Sequence, residues 1–284
     1  MPYGIQQLIA GDAAKLAAAL ALDANDARLE AQYLLQHALG KPRAWLLAHP
    51  EYTLNHAQQV GYEALLQRRI RGEPMAYILG KREFFGLDFR VTPATLIPRP
   101  ETELLVELAL QRIPRDQPSR VLDLGAGSGA IALSIAHHRP LAEMTAVDAS
   151  ADALAVAREN AARLGIGNVI FLQGDWYAPL EERHFGVIVS NPPYVAANDA
   201  HLTQGDLRFE PAAALASGVD GLDDIRRIVA GARAHLEPGG WLLIEHGHDQ
   251  AGPVRGLLKA AGFRNLLTAP DLAGIERVSG AQAG

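Results

Sequence analysis

The sequence predicts an α/β fold, with a mostly parallel sheet covered by helices on both faces and a small helical domain before it. Two observations predict this fold. From about residue 94 onward, strand-like apolar runs alternate with helical segments, which is the pattern of a parallel sheet with crossover helices. Before about residue 75, apolar residues instead recur at the spacing of amphipathic helices.

Composition narrows the class of protein. The chain has 284 residues, 49% hydrophobic and 20% charged, which suits a folded protein of one large or two modest domains. Its formal net charge of -6 gives little attraction for nucleic acid, and the absence of cysteine excludes disulfides and thiol chemistry. Residues 1–11 carry no signal-like pattern and no apolar run reaches membrane-spanning length, so we expect a cytoplasmic protein without a membrane partner.

The helical domain is expected over residues 1–75. Its helices are predicted by apolar residues at amphipathic spacing, namely Ile5, Leu8, Ile9, Leu16, Leu20, Leu29, Leu34, Leu35 and Leu39. Gly40, and later Gly72 with Pro74, are signals that end helices. Five basic residues cluster near the end of this domain: Arg68, Arg69, Arg71, Lys81 and Arg82.

A hairpin linker is expected over residues 76–93, because Phe84 to Val91 mixes aromatic and β-branched residues around a glycine. The larger domain follows over residues 94–284. Its strands are predicted at 120–125, 144–148, 169–173, 186–190 and 241–247, with helices from Ser128 and Ala151 and over 223–235.

A glycine-rich loop follows the first of these strands and opens a helix. Gly125, Gly127 and Gly129 allow a tight turn and let a ligand approach the backbone at the carboxyl edge of the sheet. Asp148 ends the next strand, where it can accept hydrogen bonds from ribose hydroxyls. Together these residues predict a nucleoside cofactor. An NAD-dependent dehydrogenase remains open on these residues, as does a plain glycine turn beside a solvated aspartate.

Trp176 follows the third strand and could flank an adenine ring, with Asp175 beside it to hold the adenine amino group. A tryptophan in such a position is more often a core residue. Trp176 therefore has two interpretations, as a residue that flanks adenine or as a core residue.

The segment Asn191, Pro192, Pro193 and Tyr194 follows the fourth strand, at the same edge of the sheet. The Asn191 side chain and the Pro192 carbonyl offer two acceptors for the hydrogens of a planar NH2 group, and Tyr194 can stack on that plane. An amide nitrogen is a poor nucleophile, but alignment with a sulfonium methyl can supply about 7–11 kcal/mol without a metal. The alternative is a rigid turn without chemistry.

With these motifs the chain resembles the class I S-adenosylmethionine-dependent methyltransferases, and more closely the protein-(glutamine-N5) methyltransferases of the PrmC/HemK family. The resemblance covers nearly the whole chain. Besides the glycine loop and Asn191 to Tyr194, it rests on Pro74-x-x-Tyr77-Ile78-x-Gly80, Phe85-Gly86-x-x-Phe89-x-Val91 and Ile97-Pro98-Arg99-Pro100-Glu101-Thr102-Glu103.

The resemblance implies a Rossmann-like core and a role for each matching residue. The residues implied to bind S-adenosylmethionine are Gly125, Ala126, Gly127, Ser128, Gly129, Asp148, Trp176 and Asn191. Catalysis and binding of the substrate amide are implied for Asn191, Pro192, Pro193 and Tyr194. Arg99 to Glu103 is expected to cover the cofactor near its methyl group, without an assigned chemical role.

The implied reaction transfers a methyl group to the glutamine N5 of the Gly-Gly-Gln motif in peptide chain release factors and leaves S-adenosylhomocysteine. The helical domain, with its basic cluster, is the hypothesised docking surface for the release factor. We expect a monomer with no metal and no stable nucleic-acid binding. Rival interpretations are a ribosomal-protein glutamine methyltransferase, a DNA or RNA adenine methyltransferase, the dehydrogenase, and a non-catalytic binding module.

Overall fold

The computed structural model describes residues 4–284, so the first three residues of the predicted helical domain lie outside the described residues. The chain divides into two compact units between Gly80 and Lys81. This junction falls inside the predicted linker over residues 76–93. Residues 76–80 belong to the first unit and the hairpin belongs to the second.

The first unit is helical, as predicted. Its helices within the described residues are α1 (Ile5–Leu20), α2 (Ala24–Leu39), α3 (Arg43–Ala48), α4 (His56–Ile70) and α5 (Met75–Leu79). Asp23 caps α2 by accepting the Asn25 and Asp26 N–H groups, and Gly40 ends α2 with a left-handed φ of 61°. No single helix in residues 4–284 is long and apolar enough to cross a membrane; α1 and α2 meet that criterion only together, as a pair bent by 118°.

The five residues of the basic cluster are divided between the two units: Arg68, Arg69 and Arg71 belong to the helical unit, and Lys81 and Arg82 belong to the second unit. The part in the helical unit is partly internal. Arg69 is only 6% exposed, and its guanidinium pairs with Glu30 at 2.8 and 2.9 Å. Arg68 is half-exposed and pairs with Glu73. A buried arginine needs such a partner, because an unpaired charge in the interior is strongly unfavourable. The expectation that all five basic residues form a solvent-facing surface is therefore wrong for Arg69, and the charge of Arg68 is already neutralised.

The predicted hairpin is confirmed. Strands β1 (Lys81–Phe84) and β2 (Leu87–Arg90) are antiparallel, and the turn residues Phe85 and Gly86 both have positive φ values, 51° and 77°. Two-residue turns of this kind match the twist of a hairpin. Phe84 and Phe89 are buried in the core of the second unit, which fixes the hairpin to that unit.

The second unit contains a sheet of seven strands in the order β5-β4-β3-β6-β7-β9-β8. The strands are β3 (Ser119–Leu124), β4 (Ala142–Asp148), β5 (Val169–Gln173), β6 (Phe185–Ser190), β7 (Leu236–Glu245), β8 (Arg264–Pro270) and β9 (Glu276–Gln282). Strands β3 to β7 pair in parallel, and β9 is antiparallel to both of its neighbours. The carboxyl ends of five strands therefore lie at one edge of the sheet.

Helices cover both faces of this sheet. They are α6 (Glu103–Leu110), α7 (Ala130–His138), α8 (Ala151–Leu164), α9 (Asp223–His235) and α10 (Ala251–Ala260). Successive strand residues enter opposite cores: Val121 packs with α6 and α7, and Leu122 packs with α9 and α10. This two-sided burial confirms the predicted fold class. Helix α7 begins at Ala130 rather than at Ser128, because Gly129 has a φ of 82° and ends the preceding loop.

Asp123, in β3, is a buried carboxyl group beneath the glycine loop. Its Oδ2 accepts the Ala132 N–H at 3.1 Å, and its Oδ1 has no hydrogen-bond partner among the described residues. Burial raises the pKa of Asp123 from 3.8 to about 7, and the nearby charge of Asp148 acts in the same direction. The folded protein therefore holds a proton on Asp123 over a pH range in which the unfolded chain does not.

We expect the neutral variant Asp123→Asn to gain stability relative to wild type as the pH rises. The folded-state pKa is raised, so the contribution of Asp123 is fully present below pH 3.8 and is lost progressively up to about pH 7. The difference in unfolding free energy should change by at most about 4 kcal/mol across this range. Urea unfolding of both proteins at a series of pH values measures it, and a difference independent of pH would contradict the assignment.

Candidate active site

A cavity of about 370 Å³ opens at the carboxyl edge of the sheet. Six of the residues predicted from sequence line it: Gly125, Gly127, Asp148, Trp176, Asn191 and Pro193. Asp148 ends β4, and the other five residues lie in the loops that follow β3, β5 and β6. The parallel order of the strands is what brings them together.

The glycine loop is held by backbone hydrogen bonds. Val147 O accepts the N–H groups of Gly125 and Ala126, at 2.9 and 3.0 Å, and Gly127 N–H donates to Asp148 Oδ2 at 2.8 Å. Gly125 and Gly127 have φ values of 80° and 55°, in the left-handed region where an L side chain is strained. Both of these glycines therefore present backbone to the cavity.

Gly129 serves packing at the start of α7. A Cβ atom placed on it would lie 3.0 Å from Leu133 and 3.2 Å from Ala157. Ala126, Ser128 and Gly129 do not line the cavity, and Ser128 is buried. Of the five predicted loop residues, Gly125 and Gly127 are thus the two that line the cavity.

Asp148 holds two loops at once. Its Oδ2 accepts from Gly127 N–H and its Oδ1 accepts from Ser150 N–H, each at 2.8 Å. A carboxylate has about four lone-pair sites, so two remain for a ligand. Because Asp148 also lines the cavity, it can accept hydrogen bonds from a pair of hydroxyl groups there.

Trp176 lies against the glycine loop. Its six-membered ring is 3.6 Å from the position that a Cβ atom would take on Gly125, and its own φ is 49°. Asp175, which the sequence suggested as a partner for an adenine amino group, forms an ion pair with Arg227 of α9. Arg227 and Asp224 also line the cavity, and neither was predicted as a site residue.

The segment after β6 carries an unsatisfied polar atom. Asn191 Nδ2 donates to Thr102 Oγ1 at 3.1 Å, whereas Asn191 Oδ1 is buried without a hydrogen-bond partner in the described part of the chain. Buried polar groups are rarely left unpaired, because an unmade hydrogen bond costs about 1–3 kcal/mol. Asn191 Oδ1 is therefore available to accept a hydrogen bond from a ligand.

Tyr194, three residues after Asn191, pairs with Glu245 at the end of β7. The Tyr194 hydroxyl donates to Glu245 Oε1 at 3.4 Å, a long hydrogen bond, and burial raises the pKa of Tyr194 above its ordinary range. Glu245 ends β7 and is 1% exposed, and burial raises its pKa to about 7. Pro192 is buried, and neither it nor Tyr194 lines the cavity.

The segment before α6 covers one side of the cavity, where Thr95 and Leu96 line it. The Arg99 guanidinium pairs with the buried carboxylate of Glu210, which also accepts the Ile97 N–H at 3.0 Å. Burial raises the pKa of Glu210, and Arg99 opposes that rise. Arg99 therefore ties this segment to the loop at Pro211.

Thr102 and Glu245 were not predicted as site residues. Thr102 lies in the segment from Arg99 to Glu103, for which the sequence indicates no chemical role. Glu245 ends β7, the strand next to β6, and its position at the carboxyl edge of the sheet was the signal that could have identified it. His246 is fully buried; its Nδ1 lies 2.9 Å from Gly247 O and its Nε2 lies 2.9 Å from Ser279 Oγ, so both ring nitrogens are paired inside the core. In residues 4–284 no three His, Asp or Glu side chains converge as metal ligands.

Comparison with known proteins accounts for both units. Residues 12–80 match the PrmC N-terminal domain, and residues 101–218 match the methyltransferase small domain. A 16S rRNA methyltransferase from T. thermophilus, solved with AdoMet and guanosine, superimposes with a TM-score of 0.54 at 23% identity, over 72% of this chain and 50% of that one. That likeness shows the class I methyltransferase fold alone.

Two curated relatives are much more similar. The release factor glutamine methyltransferase of Bordetella pertussis is 55% identical over 255 residues, 89% of this chain and 94% of its own length. The protein of the same name from Xylella fastidiosa is 53% identical over 252 residues, 89% of this chain and 92% of its own length. More than half of the aligned positions are identical, and the alignments cover nearly the full length of both relatives. This chain therefore belongs to the release factor glutamine methyltransferase family.

Proposed function

We propose that this protein transfers a methyl group from S-adenosylmethionine to the side-chain amide nitrogen of the glutamine in the Gly-Gly-Gln motif of peptide chain release factors. The observation that carries the proposal is the buried, unpartnered Oδ1 of Asn191 at the cavity wall. The names of the relatives support the choice of substrate.

The cavity residues fit S-adenosylmethionine. A volume of about 370 Å³ lies within the range of small-molecule sites, roughly 300–1,000 Å³. In this proposal the backbone at Gly125 and Gly127 borders the methionine end, Asp148 accepts from the ribose hydroxyls, and Trp176 flanks the adenine. When bound, S-adenosylmethionine supplies a methyl group activated by the sulfonium, which is an electrophile strong enough for an amide nitrogen.

The protein's own contribution is to hold that nitrogen. Asn191 Oδ1 and the Pro192 carbonyl would accept hydrogen bonds from the two N–H groups of the glutamine NH2, and Tyr194 would exclude water from this group. Fixing an amide in line with its electrophile can lower the barrier by about 7–11 kcal/mol. The same two carbonyl dipoles favour the positive charge that grows on the nitrogen, which then loses a proton to water.

The decisive assay uses labelled S-adenosylmethionine with four acceptors in parallel: a release factor, the same factor with the motif glutamine changed to alanine, a ribosomal protein that carries a methylated glutamine, and DNA. We expect label only in the unaltered release factor, and a mass increase of one methyl group on the motif glutamine. Label in the alanine variant, in the ribosomal protein or in DNA would contradict the proposed substrate.

We assign the remaining features within the same proposal. The helical unit would dock the release factor, and the enzyme would act in the cytoplasm as a monomer without stable nucleic-acid binding. The net charge of -6 supports the last point. Docking by the helical unit would rest on surfaces other than the buried Arg69.

A further inference from the structure

Three segments of the second unit that line the cavity are joined to one another. They are residues 94–102, before α6; residues 191–197, after β6; and residues 210–218, before α9. Their cavity-lining residues are Ala94, Thr95, Leu96, Asn191, Pro193, Pro211, Ala213 and Ala214. Connecting segments lack the hydrogen-bond ladder of a sheet, so the shape of this part of the cavity depends on the bonds between the three.

Residues 191–197 are bound to both of the other segments. Asn191 Nδ2 donates to Thr102 Oγ1 at 3.1 Å, which joins them to residues 94–102. The Val195 N–H donates to Leu215 O, and the Ser217 N–H donates to Val195 O, each at 2.9 Å. These two backbone bonds form a short parallel bridge, which joins residues 191–197 to residues 210–218.

Glu210 joins the remaining pair of segments. Its Oε2 accepts the Ile97 N–H at 3.0 Å, and its Oε1 accepts from the Arg99 guanidinium. The Glu210 side chain is 0% exposed and the Arg99 side chain is 31% exposed, so the carboxylate is the interior member of this ion pair. A carboxylate without access to water needs such partners, because an unpaired buried charge is strongly unfavourable. The three segments are therefore bound pairwise into a closed ring, which we call the cavity ring.

We propose that Glu210 is a positioning residue that closes the cavity ring and fixes the wall at Thr95 and Leu96 relative to the wall at residues 211–214, in the arrangement that binds the cofactor. Glu210 does not itself line the cavity. It acts through the two segments that its carboxylate joins. The inference deepens the proposed function and rests on it for the identity of the cofactor, S-adenosylmethionine.

A closed cavity ring should reduce the cost of binding. A ligand that must first order two separate segments loses part of its affinity to that ordering, whereas a preformed cavity avoids this loss. Without the Glu210 carboxylate, the binding-competent arrangement would be populated for only a fraction of the time, and the apparent affinity would fall by that fraction. The effect should therefore appear in cofactor binding more than in the rate of methyl transfer at saturating cofactor.

The first test uses no acceptor substrate. In Glu210→Ala, calorimetric titration should show about tenfold weaker binding of S-adenosylhomocysteine, and Glu210→Gln, which keeps an acceptor for the Ile97 N–H, should lose only about threefold. Hydrogen exchange of unliganded Glu210→Ala should be faster than wild type in residues 95–99 and in residues 211–217, and S-adenosylhomocysteine should restore most of the protection. Unchanged affinity, or exchange that does not rise in both segments, would overturn the proposal.

The second test is a double-mutant cycle on the same binding measurement. Arg99→Met leaves the Glu210 carboxylate buried without its guanidinium, so this variant should bind S-adenosylhomocysteine about tenfold more weakly than wild type. Adding Glu210→Gln removes that unpaired charge and keeps the Ile97 hydrogen bond, so the double variant should bind more tightly than Arg99→Met alone. Losses that add together would overturn the proposal.

The matched control is Glu237→Ala. Glu237 also pairs with an arginine distant in sequence, Arg120, but it is partly exposed and does not line this cavity. It should leave S-adenosylhomocysteine affinity and exchange in both segments unchanged. Thermal unfolding of each variant identifies loss of the fold, and Glu210→Gln provides the binding test if Glu210→Ala does not fold. If wild type binds S-adenosylhomocysteine but methylates no release factor, the proposed substrate fails and the role of Glu210 stands. If wild type does not bind S-adenosylhomocysteine, this inference fails together with the proposed cofactor.

Discussion

Asn191→Ala is expected to lower kcat about 10³-fold while the affinity for S-adenosylmethionine changes by less than about threefold. The variant removes a buried acceptor of a cavity-lining residue that has no partner within the described residues. In the proposed function this acceptor binds the glutamine amide, so the variant should affect the amide more than the cofactor. Removal of a single preorganised hydrogen-bonding group from a transition-state site costs about 10²–10³ in rate. Single-turnover methylation and calorimetric titration with the cofactor measure the two quantities separately.

The matched control is Asn198→Ala, because Asn198 is exposed in the same loop after β6. It should behave as wild type in both measurements. Equal losses of turnover and of cofactor affinity in Asn191→Ala would mean that Asn191 serves the cofactor rather than the amide. A normal turnover would remove the basis of the proposed function.

Asp148→Ala is expected to weaken cofactor binding about 10²-fold, with a smaller effect on the rate at saturating cofactor. Each hydrogen bond to an ionised acceptor contributes about 1.5–3 kcal/mol, and the two that the ribose would form together exceed what a 10²-fold change in Kd requires. The variant also releases the N–H groups of Gly127 and Ser150, so the glycine loop loses one of its supports.

Isothermal titration with S-adenosylhomocysteine measures this effect without catalysis. Asp148→Asn, which keeps one acceptor oxygen, should lose only about tenfold. Asp152→Ala removes an exposed carboxylate in the first turn of α8 and should bind as wild type does. Unchanged binding in Asp148→Ala would exclude the ribose role and leave Asp148 as a support for the loop alone.

The main elements of the fold were predictable because their signals are local. Strand β5 and helix α9 have the predicted bounds, since apolar periodicity within a short window reports which face is buried. Helix α7 begins two residues later than predicted, because the start of a helix depends on backbone dihedrals that the glycine at 129 leaves free. The burial of Arg69 was missed because a basic side chain is expected to face solvent. Only the structure shows that Glu30 pairs with it.

The sequence by itself predicted the α/β core, the glycine loop, Asp148 at the end of the next strand, and the segment that begins at Asn191, because each is signalled by residues that lie close together in the chain. Only the tertiary structure decided that Asn191 is paired with Thr102, 89 positions away, that Arg99 is paired with Glu210, 111 positions away, and that Glu245 is buried beside Tyr194. The physical reason is that hydrogen bonding and pKa depend on distances between atoms and on exclusion of water. In this chain both are set by the order of the strands, which places β3, β6 and β7 side by side.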